Sequence, residues 1–198
     1  MIAQLLKMVQ FSLKSPKEGA EMVLAAQPTR EILWTILVVV VAVTVLLAQA
    51  MNFIVPPPPE AQELMPFSSS PLMFALVMWG LLVLMVFCTH YIGQMFGGEG
   101  AFNDSLVIVI WLQTILIVIQ VVQIVIALLS PGLAALLGFG FALFSIWIFV
   151  NFVAVAHGFK NLGLVLFGII MSMIGVVLGL SLIFVFIAIL FGVDLPNG

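Results

Sequence analysis

LVIVIWLQTILIVIQVVQIVIALL, residues 106–129, contains no charged side chain. A continuous run of this length meets the roughly 20 apolar residues that a helix needs to cross about 30 Å of hydrocarbon. It does not resemble the ~10-residue alternating segments of a membrane barrel. Inside lipid every backbone N–H and C=O must find its partner within the protein, which leaves helices or a closed barrel. The unbroken run selects the helix.

The same pattern recurs on both sides of it. Ile32 to Val55, Leu72 to Met95, Leu133 to Ala156 and Leu162 to Val193 are further spans, making five with Leu106 to Leu129. The last exceeds the bilayer thickness, so it should tilt, kink near its glycines or project. Over 198 residues the chain is 65% hydrophobic and 7% charged, with a mean hydropathy of +1.40. A soluble domain carries about 25% charged residues, and five basic with eight acidic side chains cannot cover a soluble surface of this size. The expected fold class is therefore all-α. Residues 1–31 form an N-terminal amphipathic interfacial segment, and residues 32–198 form a polytopic bundle of five transmembrane helices.

Basic residues give the bundle a direction. Lys7, Lys14, Lys17 and Arg30 precede the first span, and Lys160, the only other one, lies between spans four and five. Five crossings put both regions on one side, which the positive-inside rule assigns to the cytoplasm. The loop Pro56 to Pro71, the tight Ser130-Pro131-Gly132 turn and the Asp194 tail then face outward, and none contains Lys or Arg. The stretch near Met1 to Leu13 is short and broken by Gln4, Lys7 and Gln10, so it does not read as a cleavable signal. The first span is expected to serve as the targeting signal.

Ahead of that span, Ser15-Pro16-Lys17-Glu18 combines an N-cap serine, a first-turn proline and a glutamate at N3, the pattern of a capping box. The helix it starts should end near Pro28, with Thr29 capping the first span. Ile2, Leu5, Leu6, Val9 and Leu13 recur at helical spacing with Lys7 and Lys14 off that face, although Phe11 breaks the pattern. The segment reads as a helix lying on anionic lipid, the alternative being that it packs under the bundle. Pro56-Pro57-Pro58-Pro59 reads as a stiff extended polyproline spacer.

No Asp, Glu, Lys or Arg falls inside a span, which argues against ion-coupled transport and leaves no place for a catalytic carboxylate pair. No catalytic residue, cofactor site or metal site is expected. Cys88 has no partner for a disulfide or a cysteine-based metal centre. His90 and His157 close spans two and four at one depth and form a candidate cytoplasmic-face site. Two ligands do not define a metal centre, and contacts to helix-end carbonyls or lipid phosphate suit them better. Gln113, Gln120 and Gln123 share one arc of span three, a candidate polar interior that reads first as interhelical hydrogen bonding and second as a conduit. Gly97-Gly98-Glu99-Gly100 has glycines to end span two at positive φ, and Asn103 or Asp104 can cap span three. It lacks the lysine of a phosphate loop. Gly168, Ser172, Gly175 and Gly179 make a small-residue stripe on span five, a candidate packing surface. Ala134, Gly138, Ala142 and Ser145 repeat the device on span four.

Three stretches carry a family resemblance: Leu13 to Pro28, Gly97-Gly98-Glu99-Gly100-Ala101-Phe102, and Trp147 through His157-Gly158. In this order and spacing they resemble the Yip family of Ypt/Rab-interacting-type membrane proteins, in its compact bacterial form. The resemblance covers nearly the whole chain. It implies a cytoplasmic N-terminus, five spans and a role in membrane organisation or vesicle traffic. Members that bind small GTPases carry a long N-terminal region with an Asp-Leu-Tyr-Gly-Pro type motif. Here residues 1–31 lack that motif, so small-GTPase binding is not expected.

The functional expectation is a non-enzymatic membrane-organising scaffold or accessory subunit acting through helix–helix and lipid contacts. Its partners would be membrane lipids and a membrane protein or second copy, with no nucleic acid. The alternative is a small transporter or channel for a neutral or lipidic solute. The expected location is the bacterial cytoplasmic (inner) membrane, with the N-terminus inside and the C-terminus outside. In a Cys88→Ala background, a cysteine at Ser69 should react with an impermeant thiol reagent on intact cells. One at Ser15 should react only after permeabilisation, and the reverse pattern would invert the topology.

Overall fold

The computed structural model describes residues 2–64 and 70–190, and among these there are helices and turns but no strand. Eight helices follow in order: α1 (Ile2–Lys14), α2 (Pro16–Leu24), α3 (Arg30–Ile54), α4 (Pro59–Leu64), α5 (Pro71–Met95), α6 (Phe102–Leu129), α7 (Pro131–His157) and α8 (Leu162–Leu190). Five of them, α3, α5, α6, α7 and α8, are long and apolar enough to cross a bilayer. Residues 191–193 of the fifth expected span, the Asp194 tail, and Ser68 and Ser69 of the loop lie outside the described residues.

Helix α6 is the axis of the bundle. Every side chain from Ser105 to Gln113 is buried, against α3, α5, α7 and the α1–α2 hairpin. Helix α7 is enclosed in the matching half, where Ile148 to Ala154 are all buried. Water-transfer energies do not apply to this burial in full, because the alternative neighbour is lipid, so close packing and interhelical bonds must hold the helices together.

Local chemistry sets the ends. Ser130 alone links α6 to α7: its hydroxyl accepts from Leu133 N at 3.4 Å, and Pro131 occupies the first helical position, where no N–H is required. Ser70-Pro71 opens α5 in the same way, with Met73 N donating to Ser70 Oγ at 3.4 Å. Helix α6 begins at Phe102, four residues before the expected span, because Asp104 Oδ2 accepts from Ala101 N at 2.9 Å and ties down the first turn. At their other ends α5 and α7 both finish in Schellman motifs. Gly98 N donates to Gly93 O and Gly97 N to Gln94 O; Phe159 N donates to Ala154 O and Gly158 N to Val155 O. The left-handed residues are Gly97 (φ 84°) and Gly158 (φ 73°), where a Cβ would be strained.

Three sequence expectations change, the first being that Thr29 stands at the N-cap of α3 but its side chain makes no cap bond. The capping box at Ser15 does not form, and the Ser15 side chain makes no cap bond. The reason is that Ser15 N–H is already donated to Phe11 O at 2.8 Å, which leaves Glu18 nothing to bond. The proline tract also ends one residue early, since Pro59 starts α4, with Gln62 N donating to Pro58 O.

Helices α1 and α2 fold back on each other at Gly19, where any Cβ would strike Ser12. Their inner face, Val9, Ser12, Ala20 and Val23, docks on α6 and α7, while Ile2, Leu5, Leu6 and Phe11 stay exposed beside Lys7 and Lys14. The apolar stripe of α1 is thus divided between the bundle and its surroundings. The fully buried Ser12 hydroxyl accepts the indole N–H of Trp111 at 3.0 Å. Trp111→Phe removes that donor and leaves a buried hydroxyl without a partner, a loss of about 1–3 kcal/mol. Amide exchange in α1 should rise while α6 amides stay protected, and unchanged exchange in α1 would show that the hairpin is held by other contacts.

Candidate functional site

All five basic residues gather at one end of the bundle, where α5 and α7 finish and α3, α6 and α8 begin. The central group there is His157, only 2% exposed. Its Nδ1 lies 3.3 Å from Val153 O, and its ring stacks on Phe159 at 5.8 Å between centroids. Glycines form the wall around the imidazole. A Cβ on Gly93 would strike the ring, one on Gly98 would lie 2.7 Å from His157 Cβ, and one on Gly100 would lie 2.5 Å from Ala156 O. Glu99 N donates to His157 O at 3.2 Å, satisfying one of the carbonyls that a helix end leaves open. The chain after α5 therefore wraps the end of α7, and the glycines are there because nothing larger fits.

His90 belongs to the same cluster. Its ring packs edge-on against Phe102 at 5.5 Å, and it is an electrostatic neighbour of His157. Phe102 in turn carries the Arg30 guanidinium 5.0 Å above its ring, and Asn103 Nδ2 donates to Pro28 O at 3.0 Å. His90 Nδ1, His157 Nε2 and Ser105 Oγ are buried without hydrogen-bond partners in the structure. Among the described residues no three His, Cys, Asp or Glu side chains approach closely enough to hold a metal ion. The two histidines are brought together as components of a helix joint.

The glutamine arc is divided. Gln113 Nε2 donates to Thr44 Oγ1 of α3 at 3.4 Å, whereas Gln123 Nε2 lies where a Cβ on Gly138 of α7 would sit. Gln120 is half-buried. Gln113 and Gln123 therefore meet different helices.

Sequence reasoning missed one opening. Between α5 and α8, floored by α6 and α7, lies a crevice of about 590 Å³ whose lining includes Cys88, Thr89, Phe149, Phe159 and Ser172. Gly168 and Ser172 of the α8 stripe line this gap. Gly168 meets Phe96, the residue after α5, at 3.7 Å from its would-be Cβ, but Gly175 and Gly179 have nothing within 4 Å. The small residues were legible in the sequence. That Gly175 and Gly179 would have open space beside them was not.

Five apolar helices, capped and joined in this way, define a multi-pass integral membrane protein. The chain belongs to the Yip1 domain family, whose model matches residues 12–183. No curated protein is significantly similar to the chain. No solved structure is significantly similar either.

The glycine wall yields a paired test. Gly93→Ala drives a methyl group into the His157 ring and should cost about 1–3 kcal/mol. Gly175→Ala enters open space and should be neutral or gain up to roughly 1 kcal/mol of helix propensity. Thermal unfolding in detergent, read by the reactivity of the Cys88 thiol, measures both; equal midpoints for the two variants would remove the wall's structural role.

Proposed function

We propose that this protein is a non-enzymatic membrane-organising scaffold or accessory subunit of the bacterial cytoplasmic membrane, with its basic end inside the cell. It works through lateral contacts with lipid and with another membrane helix, from a second copy or a different protein. The observation that carries this reading is the exposure of α8. Only Val165 and Gly168 are buried among its described side chains, and Gly175 and Gly179 leave backbone open to close approach. The divided glutamines support a scaffold over a small transporter, because a conduit needs them on a common path. The histidine cluster supports it too, since its glycine wall holds the imidazole in packing contact.

In a Cys88→Ala background, Gly179→Cys should give a covalent dimer or a cross-link to a copurifying membrane protein in native membranes. Mass measured in nanodiscs should rise accordingly. A monomer with no copurifying protein and no cross-link would overturn the reading.

A further inference from the structure

We propose that the crevice between α5 and α8 is a binding site for one acyl chain of an anionic phospholipid, with Lys160 meeting the phosphate. The proposal deepens the reading above by naming a lipid partner, and it stands on three features.

The first is the shape and polarity of the space. Its volume of about 590 Å³ falls within the range of small-molecule sites, roughly 300–1,000 Å³. Its lining is almost entirely apolar, and two of the polar side chains on the wall are engaged elsewhere. Ser145 Oγ donates to Ala142 O at 2.7 Å, and Gln113 Nε2 donates to Thr44. Water has little to bond to there, and an apolar cavity stays dry. An empty space of this size would forfeit the dispersion contacts of its whole lining.

The second is access. Residues of α3 are absent from the lining, and one wall is α8, most of whose described side chains are exposed. Helices α5 and α8 are in contact, and Phe96, just beyond the end of α5, meets Gly168. Beyond that point a second hollow of about 350 Å³ lies between them and shares Ile92, Ser172 and Val176 with the first. The gap is thus continuous with the hydrocarbon, and the filler that a bilayer supplies is an acyl chain.

The third is charge at the mouth. Phe159 lines the end of the crevice nearest the basic loops, and Lys160 follows it, exposed and without an ion-pair partner among the described residues. Glu99 is the nearby acid on the neighbouring loop, and it forms no ion pair with Lys160. Of the other cations, Arg30 is held over Phe102, while Lys7, Lys14 and Lys17 belong to the hairpin. A single lysine at the membrane surface favours an anionic over a zwitterionic headgroup by about fivefold.

The test uses the full chain in nanodiscs containing phosphatidylglycerol or phosphatidylcholine, each with the same photoactivatable acyl chain. Cross-linked peptides are mapped by mass spectrometry. Phosphatidylglycerol should label peptides containing Cys88 and Phe149 about fivefold more than phosphatidylcholine, and Lys160→Ala should bring the two lipids to equality. Ser172→Phe, or Ser145→Leu from the crevice floor, should abolish labelling at those peptides for both lipids while the protein stays monodisperse. Two variants are used so that a folding defect in one does not decide the result. Equal labelling by both lipids, unaffected by either filling variant, identifies ordinary boundary lipid and overturns the site. Absence of lipid label together with a peptide cross-link from a second chain assigns the crevice to a helix and also overturns it. Loss of lipid labelling with unchanged oligomeric mass separates failure here from failure of the scaffold reading.

Discussion

Nine consecutive buried residues of α6, from Ser105 to Gln113, impose the constraint to which the other elements answer. A helix enclosed on every side needs neighbours on every side. Helices α3, α5 and α7 provide three of them, and none covers the remaining flank. The α1–α2 hairpin does so, and the bond from Trp111 to Ser12 lies where it docks. The N-terminal segment is therefore a wall of the bundle as well as a carrier of exposed apolar and basic side chains. Its amphipathic pattern is divided between these two roles, which explains why Phe11 falls out of register with a lipid-facing stripe alone.

Enclosure of α6 at one end is matched by looseness elsewhere. In lipid, two apolar helix surfaces separate at little cost, because hydrocarbon replaces each as the other's neighbour. Close packing persists only where small residues permit a backbone approach or polar groups demand a partner. Both conditions hold at the basic end, where Gly93, Gly98 and Gly100 close around His157 and Glu99 N–H takes its carbonyl. Along α8 the small residues continue, but Gly175 and Gly179 have no neighbour close to their backbone. The crevice and the exposed flank of α8 share this cause.

How much of this the sequence revealed depends on the distance over which each feature acts. The helices were legible because run length and missing charge are properties of a single segment. The gathering of Lys and Arg at one end followed from counting crossings. Helix ends were partly legible: the glycines that close α5 could be read, but Asp104 turned four apparent loop residues into the first turn of α6. The capping box at Ser15 failed because α1 runs directly into α2 and takes the N–H that the box requires. Helix faces were illegible for a physical reason. Spans that meet lipid on one side and protein on the other are apolar all round, so periodicity does not mark which side is which. The wall around His157 joins residues about sixty positions apart, and only the fold brings Gly93 to it.

The distribution of charge ties structure to function most directly. Ion pairs are absent among the described residues, and the interior of each long apolar helix is uncharged. A charge in hydrocarbon is costly and is kept where function repays it. Specificity in this chain rests instead on backbone geometry: two Schellman ends, a left-handed glycine at each, and an imidazole in the space that missing side chains leave. Such a joint holds helices in one arrangement without using any reactive group. What it presents to the membrane is shape, an enclosed half beside a helix with an open flank, and the proposed scaffold role rests on that.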